Sequence, residues 1–186
     1  TGYKLKGYYD SAVGGNLVYD SSGLAVDGIY WKVNADNLVN DALVDEKYKY
    51  IGNQDLVVYA QWEAKDDTNY KVKHYKMSLD GKSYLNPEIE NITGISGMEV
   101  TPKTKTYEGF TSPTKQTVNI NGDGSTVVEY YYERNKYELM LVKGKGISSV
   151  IGTGQYYFEE EVKINAILLE GYTFSGWSNG DENVLI

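Results

Sequence analysis

The chain has 186 residues, 41% of them hydrophobic and 24% charged, so it is too apolar for general disorder and long enough for more than one small domain. Its formal net charge of −8 opposes binding to nucleic-acid phosphates and to anionic membranes, and the absence of cysteine removes disulfides and thiolate metal sites. No apolar run is long enough for a membrane-spanning helix, so no membrane insertion is expected.

In chain order, the first pattern is Gly2-Tyr3-Lys4-Leu5-Lys6-Gly7-Tyr8, which reads as a strand rich in aromatic and apolar residues. The spacing of Leu38, Val39, Ala42 and Leu43 predicts a helix over 35–47, with Asn34 or Asp36 as its cap. A strand follows at Asp55-Leu56-Val57-Val58-Tyr59-Ala60-Gln61-Trp62, ending in a polar joint from Glu63 to Asn69. From Tyr70 the chain alternates through Lys71, Val72 and Lys73, then slips at His74-Tyr75, where a β-bulge is expected, and turns at Asp80-Gly81. Pro87 suits the first position of a short helical turn. Thr117-Val118-Asn119-Ile120 and the run starting at Ser125 flank Asn121-Gly122-Asp123-Gly124, a strong hairpin signal. That second run, Ser125 to Tyr132, leads to another polar joint, Glu133 to Lys136, and a new β-rich run opens at Tyr137.

Two of these patterns repeat. Gly171-Tyr172-Thr173-Phe174-Ser175-Gly176-Trp177 repeats the Gly, Tyr, any, apolar, any, Gly, aromatic order of residues 2–8, and Tyr107-Glu108-Gly109-Phe110 is a weaker echo. With the two joints, the repeats predict three modules: 1–66, 67–135 and 136–186. The 19 tyrosines, against 3 Phe and 3 Trp, suit thin β-structures, where a ring covers a small core while its hydroxyl reaches water.

Residues 70–134 resemble a mucin-binding-protein (MucBP) type repeat. The matching features are Asp80-Gly81, Ile92-Thr93-Gly94 with Gly97, Tyr107-Glu108-Gly109-Phe110, and Asn121 to Gly124 leading into Val127-Val128-Glu129-Tyr130-Tyr131-Tyr132. Residues 137–178 resemble the internalin-type B repeat through Gly144-Lys145-Gly146-Ile147, Gly152-Thr153-Gly154, Tyr156-Tyr157 with Val162, and Gly171 to Trp177. Residues 1–62 resemble the later part of the same repeat, closing on Val58-Tyr59-Ala60-Gln61-Trp62. Glu159 stands where many B-type relatives have glycine, and residues 28–50 read as an insertion.

These resemblances imply a mainly β or α+β chain of three tandem, small, ubiquitin-like (β-grasp-type) modules in an elongated arrangement. The first module reads as lacking its opening strand and the last as lacking its closing strand. The families further imply a secreted, wall-associated location on Gram-positive bacteria and a non-catalytic role in spacing or adhesion. The partners implied are host mucin, glycan or surface protein and neighbouring repeats of the same chain. Head-to-tail self-association follows from the incomplete ends. The glycosylation acceptor at Asn91-Ile92-Thr93 would then be idle.

No catalytic, metal or cofactor residue is assigned, and the ligand-binding residues stay open. His74 is the only histidine, so neither a multi-histidine metal site nor a histidine triad can form within one chain, and its strand position predicts a structural role. Glu159, Glu160 and Glu161 are consecutive, and neighbours on a strand point to opposite faces, so they do not form the facing carboxylates of a glycosidase. Asn119, Asn121 and Asp123 mimic the start of a calcium loop, but Tyr130 stands at the position that needs a bidentate glutamate. Gly144, Gly146, Gly152 and Gly154 lack the Lys-Ser/Thr signature and the helix of a phosphate cradle and read as loop glycines. Lys and Asn are plentiful enough for an intramolecular isopeptide bond, whose pairing is not legible from sequence. The binding candidates are the tyrosine clusters Tyr130-Tyr131-Tyr132, Tyr156-Tyr157 and Tyr48 with Tyr50, since alternation must turn some of these rings outward.

Overall fold

The computed structural model describes residues 2–34, 38–39, 42–43 and 48–178, and every regular element among them is a strand. The chain divides into two compact units, one of Thr1–Val72, Glu90–Thr101 and Gln116–Val128, the other of Lys73–Ile89, Pro102–Lys115 and Glu129–Ile186.

The first unit begins with β1 (Tyr3–Tyr9), β2 (Leu17–Asp20), β3 (Trp31–Val33), β4 (Leu38–Val39), β5 (Ala42–Leu43), β6 (Tyr48–Tyr50) and β7 (Tyr59–Ala64). β1 is the middle strand of an antiparallel sheet ordered β2-β1-β7. Its register against β7 jumps between Leu5 and Gly7, facing Trp62 and Gln61, so Lys6 is the extra residue of a bulge. Gly7 takes this bend with φ 144°, where a side chain would run into Leu17 and the Tyr19 carbonyl. The β1–β2 connection is stapled by Asp10, whose carboxylate accepts from the Asn16 amide at 2.7 Å, the Asn16 side chain at 2.9 Å and the Tyr30 hydroxyl at 3.1 Å.

The helix expected over 35–47 is not formed. Its apolar residues Leu38, Val39, Ala42 and Leu43 are instead two short antiparallel strands, Leu38 facing Leu43 and Val39 facing Ala42. The remaining positions of that stretch lie outside the described residues. β3 pairs with β6. No helix occurs among the described residues, so the fold class is mainly β and the α component of the expectation is corrected.

The central part holds β8 (Thr68–Lys76), β9 (Glu88–Gly94), β10 (Glu99–Val100), β11 (Phe110–Thr111), β12 (Val118–Asn119) and β13 (Val127–Arg134). A four-stranded sheet runs β11-β13-β8-β9, and β10 pairs with β12. Alternate positions are buried: Thr68, Tyr70, Val72 and His74 on β8, and Val128, Tyr130, Tyr132 and Arg134 on β13, with Ile120 nearby in sequence to β12. Burial stays in phase through His74, so the slip at His74-Tyr75 is one of residue chemistry and produces no change of face. The Tyr130 hydroxyl donates to the Pro102 carbonyl at 2.7 Å, which lets a phenol sit in the core.

Two local expectations are corrected here. Pro87 precedes strand β9 and opens no helical turn, consistent with the extended backbone that proline accepts. Residues 121–124 do turn, with the Gly124 amide on the Asn121 carbonyl at 3.0 Å, but the flanking strands do not form a hairpin. The Thr126 hydroxyl takes the Asn121 amide at 2.8 Å, a place a ladder partner would occupy, and β12 pairs with β10 instead.

The last part contains β14 (Lys136–Leu139), β15 (Ile147–Ile151), β16 (Gly154–Tyr157) and β17 (Asn165–Leu168), paired as β14–β16 and β15–β17. Both polar joints are shorter than the sequence suggests, 65–67 between β7 and β8 and Asn135 alone between β13 and β14.

Each joint is packed inside one of the units. At the first, the Lys65 amide donates to the Gly2 carbonyl at 2.8 Å, the Ser96 amide donates to the Lys65 carbonyl at 2.9 Å, and the Thr68 and Ser96 hydroxyls lie 2.6 Å apart. Gly2 sits so close to Ser96 and the Gly122 backbone that a Cβ would overlap both. At the second, the Asn135 amide donates to the Gly109 carbonyl at 2.8 Å and the Phe158 amide to the Asn135 carbonyl at 2.9 Å. Arg134 donates through Nη1 to the Phe158 carbonyl and the Glu159 carboxylate, both at 2.8 Å, and through Nε to the Met77 carbonyl at 3.2 Å, while its guanidinium lies 4.7 Å from the Phe110 ring centre.

Candidate functional site

The period of two on β8 and β13 that buries Tyr130 and Tyr132 turns Lys73, Tyr75, Glu129, Tyr131 and Glu133 to the other side of the sheet. The chain between β8 and β9 adds Tyr84, held next to this face by its bridge to Met77. Tyr75 stacks on Tyr131 with ring centres 4.8 Å apart and planes 9° from parallel, and Tyr84 meets Tyr131 edge-on at 4.9 Å. Tyr131 and Tyr84 remain 41% and 37% exposed, so the rings offer accessible surface.

Carboxylates fix these phenols. Glu129 accepts from the hydroxyls of Tyr75 and Tyr131, each at 3.0 Å, and from the Lys73 ammonium at 3.3 Å. Tyr84 donates to Glu133 at 2.5 Å. The hydrogen bonds from Tyr131 and Tyr75 hold the Glu129 carboxyl below its ordinary range, and Glu129 in turn raises Tyr131 and Lys73. Glu133 pushes the Tyr84 phenol up to about 12.

The result is a preorganised patch of ring faces bordered by fixed anions. It can stack against apolar faces of a ligand and accept hydrogen bonds from hydroxyl or amide groups. It is poorly arranged for acid–base work. Glu129 and Glu133 are four strand positions apart, about 13 Å along β13, beyond the roughly 5–10 Å of a glycosidase pair. Glu129 is held ionised by three donors, which suits an acceptor and not an acid.

The other sequence candidates fall elsewhere. His74 is buried in β8, its Nδ1 2.8 Å from the Tyr132 hydroxyl, and takes a packing position. Glu159 lies in a turn at φ 65° and binds Arg134, while Glu160 accepts from the Tyr157 amide at 2.8 Å, so these neighbours hold up separate parts of one turn. Asp123 accepts from the Ser125 amide at 2.9 Å as a loop cap. Gly146 and Gly152 have positive φ, whereas Gly144 and Gly154 do not. Among the described residues the buried polar side chains are Thr68, His74, Ser96, Thr126 and Arg134, with no buried Lys or Asn to form an isopeptide site. No group of three or more metal-ligating side chains with suitable placement is found among them. Of the tyrosine clusters, Tyr130 and Tyr132 are core, Tyr131 is on the patch, and Tyr50 packs on Trp31 at 5.1 Å. Tyr156 and Tyr157 are half-buried, and Lys136 covers the Tyr157 ring at 4.6 Å.

The sequence pointed to Tyr131 but missed Tyr75, Tyr84, Glu129 and Glu133 as its companions. The period of two on both central strands, taken together, carries that signal for all but Tyr84. No protein-family model, curated protein or solved structure matches the chain.

Proposed function

We propose that this chain is a non-catalytic repeat region of a bacterial cell-surface protein, built as tandem β-grasp-like modules that act as a spacer. The modules proposed are 1–66, 67–135 and 136–186. The observation that carries the reading is the construction of the two joints. Each joins its modules by backbone hydrogen bonds and interlocked side chains, at Gly2, Lys65 and Ser96 in one case and at Arg134, Asn135 and Phe158 in the other. Freely jointed domains would be linked by solvated Gly- or Ser-rich chain. The internalin-B-like and MucBP-like patterns of the sequence support a wall-associated, extracellular setting.

A second function, direct adhesion to a mucin or other glycan, is favoured by the Tyr75–Tyr84–Tyr131 patch with its fixed carboxylates. Binding of the full chain to immobilised mucin and to a glycan array separates the two. Background-level signal is the outcome for a spacer. Saturable binding that Tyr131→Ala reduces by ~10-fold or more would displace that reading in favour of adhesion.

A further inference from the structure

Gly146 is the only buried residue in 136–178, so no side chain of this stretch reaches a dry core. Its apolar residues instead wall an open groove of about 830 Å³, among them Leu139, Leu141, Ile147, Leu168, Phe174 and Trp177. Apolar surface of this extent in water favours a partner that covers it.

One wall of the groove is Tyr172–Trp177, part of the Gly171–Trp177 repeat of Gly2–Tyr8. In the first copy, β1 is paired on both edges, by β2 and by β7. In the second, residues 172–177 take part in no strand. The backbone is nevertheless bent in the same way, with φ 144° at Gly7 and 137° at the equivalent Gly176. Where β1 places Leu5 opposite Trp62, the second copy holds Phe174, 44% exposed. The segment thus shares the glycine bend of a middle strand but has no strand partner among the described residues.

We propose that the groove is an acceptor for an extended peptide strand with the side-chain pattern of β7, Val57-Val58-Tyr59-Ala60-Gln61-Trp62-Glu63, added antiparallel to residues 172–177. The pairing seen between β1 and β7 defines the register: the residue equivalent to Trp62 covers Phe174, and that equivalent to Gln61 faces Gly176. Charge agrees with this occupant. Lys143 and Lys145, between β14 and β15, have no carboxylate partner among the described residues, and the β7 region carries Asp55 and Glu63. A strand uses both the apolar wall and the backbone groups of 172–177, which a small apolar molecule leaves unmet.

The test is calorimetric titration of the full chain with a synthetic peptide of residues 55–65, together with hydrogen exchange. The expected result is saturable one-to-one binding and new protection of the amides of 172–177. A peptide carrying Trp62→Ala should bind at least ~10-fold more weakly, a comparison that leaves the folding of the chain untouched. Phe174→Ala in the chain should weaken the unaltered peptide similarly. No saturable heat up to ~1 mM peptide, or protection that leaves 172–177 unchanged, overturns the proposal. So does self-association through the groove that the peptide fails to disrupt, or uptake of an apolar dye that the peptide fails to displace.

Discussion

Among the described residues Glu159 is the one other than glycine found at positive φ, and its carboxylate meets a guanidinium whose side chain is only 4% exposed. Substitutions there separate two opposing effects. A non-glycine residue in the left-handed region costs about 1 kcal/mol, and Glu159→Gly relieves this, less up to about 1 kcal/mol for the extra freedom glycine has when unfolded. The same change removes the partner of Arg134. A fully buried pair broken in this way would cost about 3–5 kcal/mol, but the Glu159 side chain is 62% exposed and Arg134 keeps its bonds to the Phe158 and Met77 carbonyls. Solvent screening brings the loss to about 1 kcal/mol. Glu159→Gly is therefore expected within about 1 kcal/mol of the parent. Glu159→Ala, which loses the pair and keeps the strain but has no glycine entropy cost, should fall between about 0 and 1 kcal/mol below the glycine variant. Native-state hydrogen exchange at the Asn135 and Phe158 amides, both bonded across this joint, reads the difference locally, about 5-fold in rate for 1 kcal/mol. An alanine variant that exchanges like the parent refutes the clamp. A glycine variant less protected than the alanine variant refutes the strain.

Three further outcomes are expected. Tyr132→Phe removes the acceptor of the Lys105 amide and the partner of His74 Nδ1, both at 2.8 Å, and should cost about 1–3 kcal/mol in urea unfolding; an unchanged midpoint would count against a structural role for this pair. Gly2→Ala forces a methyl into Ser96 and the Gly122 backbone, so the Lys65 and Ser96 amides should lose about 1–3 kcal/mol of exchange protection. Tyr84 ionises near 10 when unfolded and about 12 in the fold, so its contribution is complete below pH 10 and is lost as pH rises toward 12. Ultraviolet titration of Tyr84→Phe should show one phenolate fewer than the parent in the late phase near pH 12, and identical late phases would count against the raised Tyr84.

Much of the strand content was legible because β-branched and aromatic runs ended at Gly, Asp and Asn. Tertiary competition decided what was not. Leu38, Val39, Ala42 and Leu43 satisfy helical spacing, yet the same two apolar pairs can face each other across paired strands, and the chain takes that arrangement. The hairpin signal of Asn121 to Gly124 was chemically sound as a turn. It could not reveal that the strand before it pairs with β10 and not with the strand after it. His74 looked like a break in pattern because imidazole counts as polar, whereas a phenol 2.8 Å from its Nδ1 lets the ring take a buried position. The patch was half legible: Tyr131 follows from alternation, but its neighbour Tyr75 requires knowing that β8 lies beside β13, and Tyr84 requires the fold of a loop.

The burial pattern of β13 also makes the protein selectively labelled by its own chemistry. Tyr130 and Tyr132 are fully buried, whereas Tyr131 between them is 41% exposed. An electrophile that nitrates or iodinates phenols would therefore discriminate among three consecutive tyrosines and modify the middle one. Because that ring is stacked on Tyr75, the tag would serve as an optical reporter of whatever touches the patch.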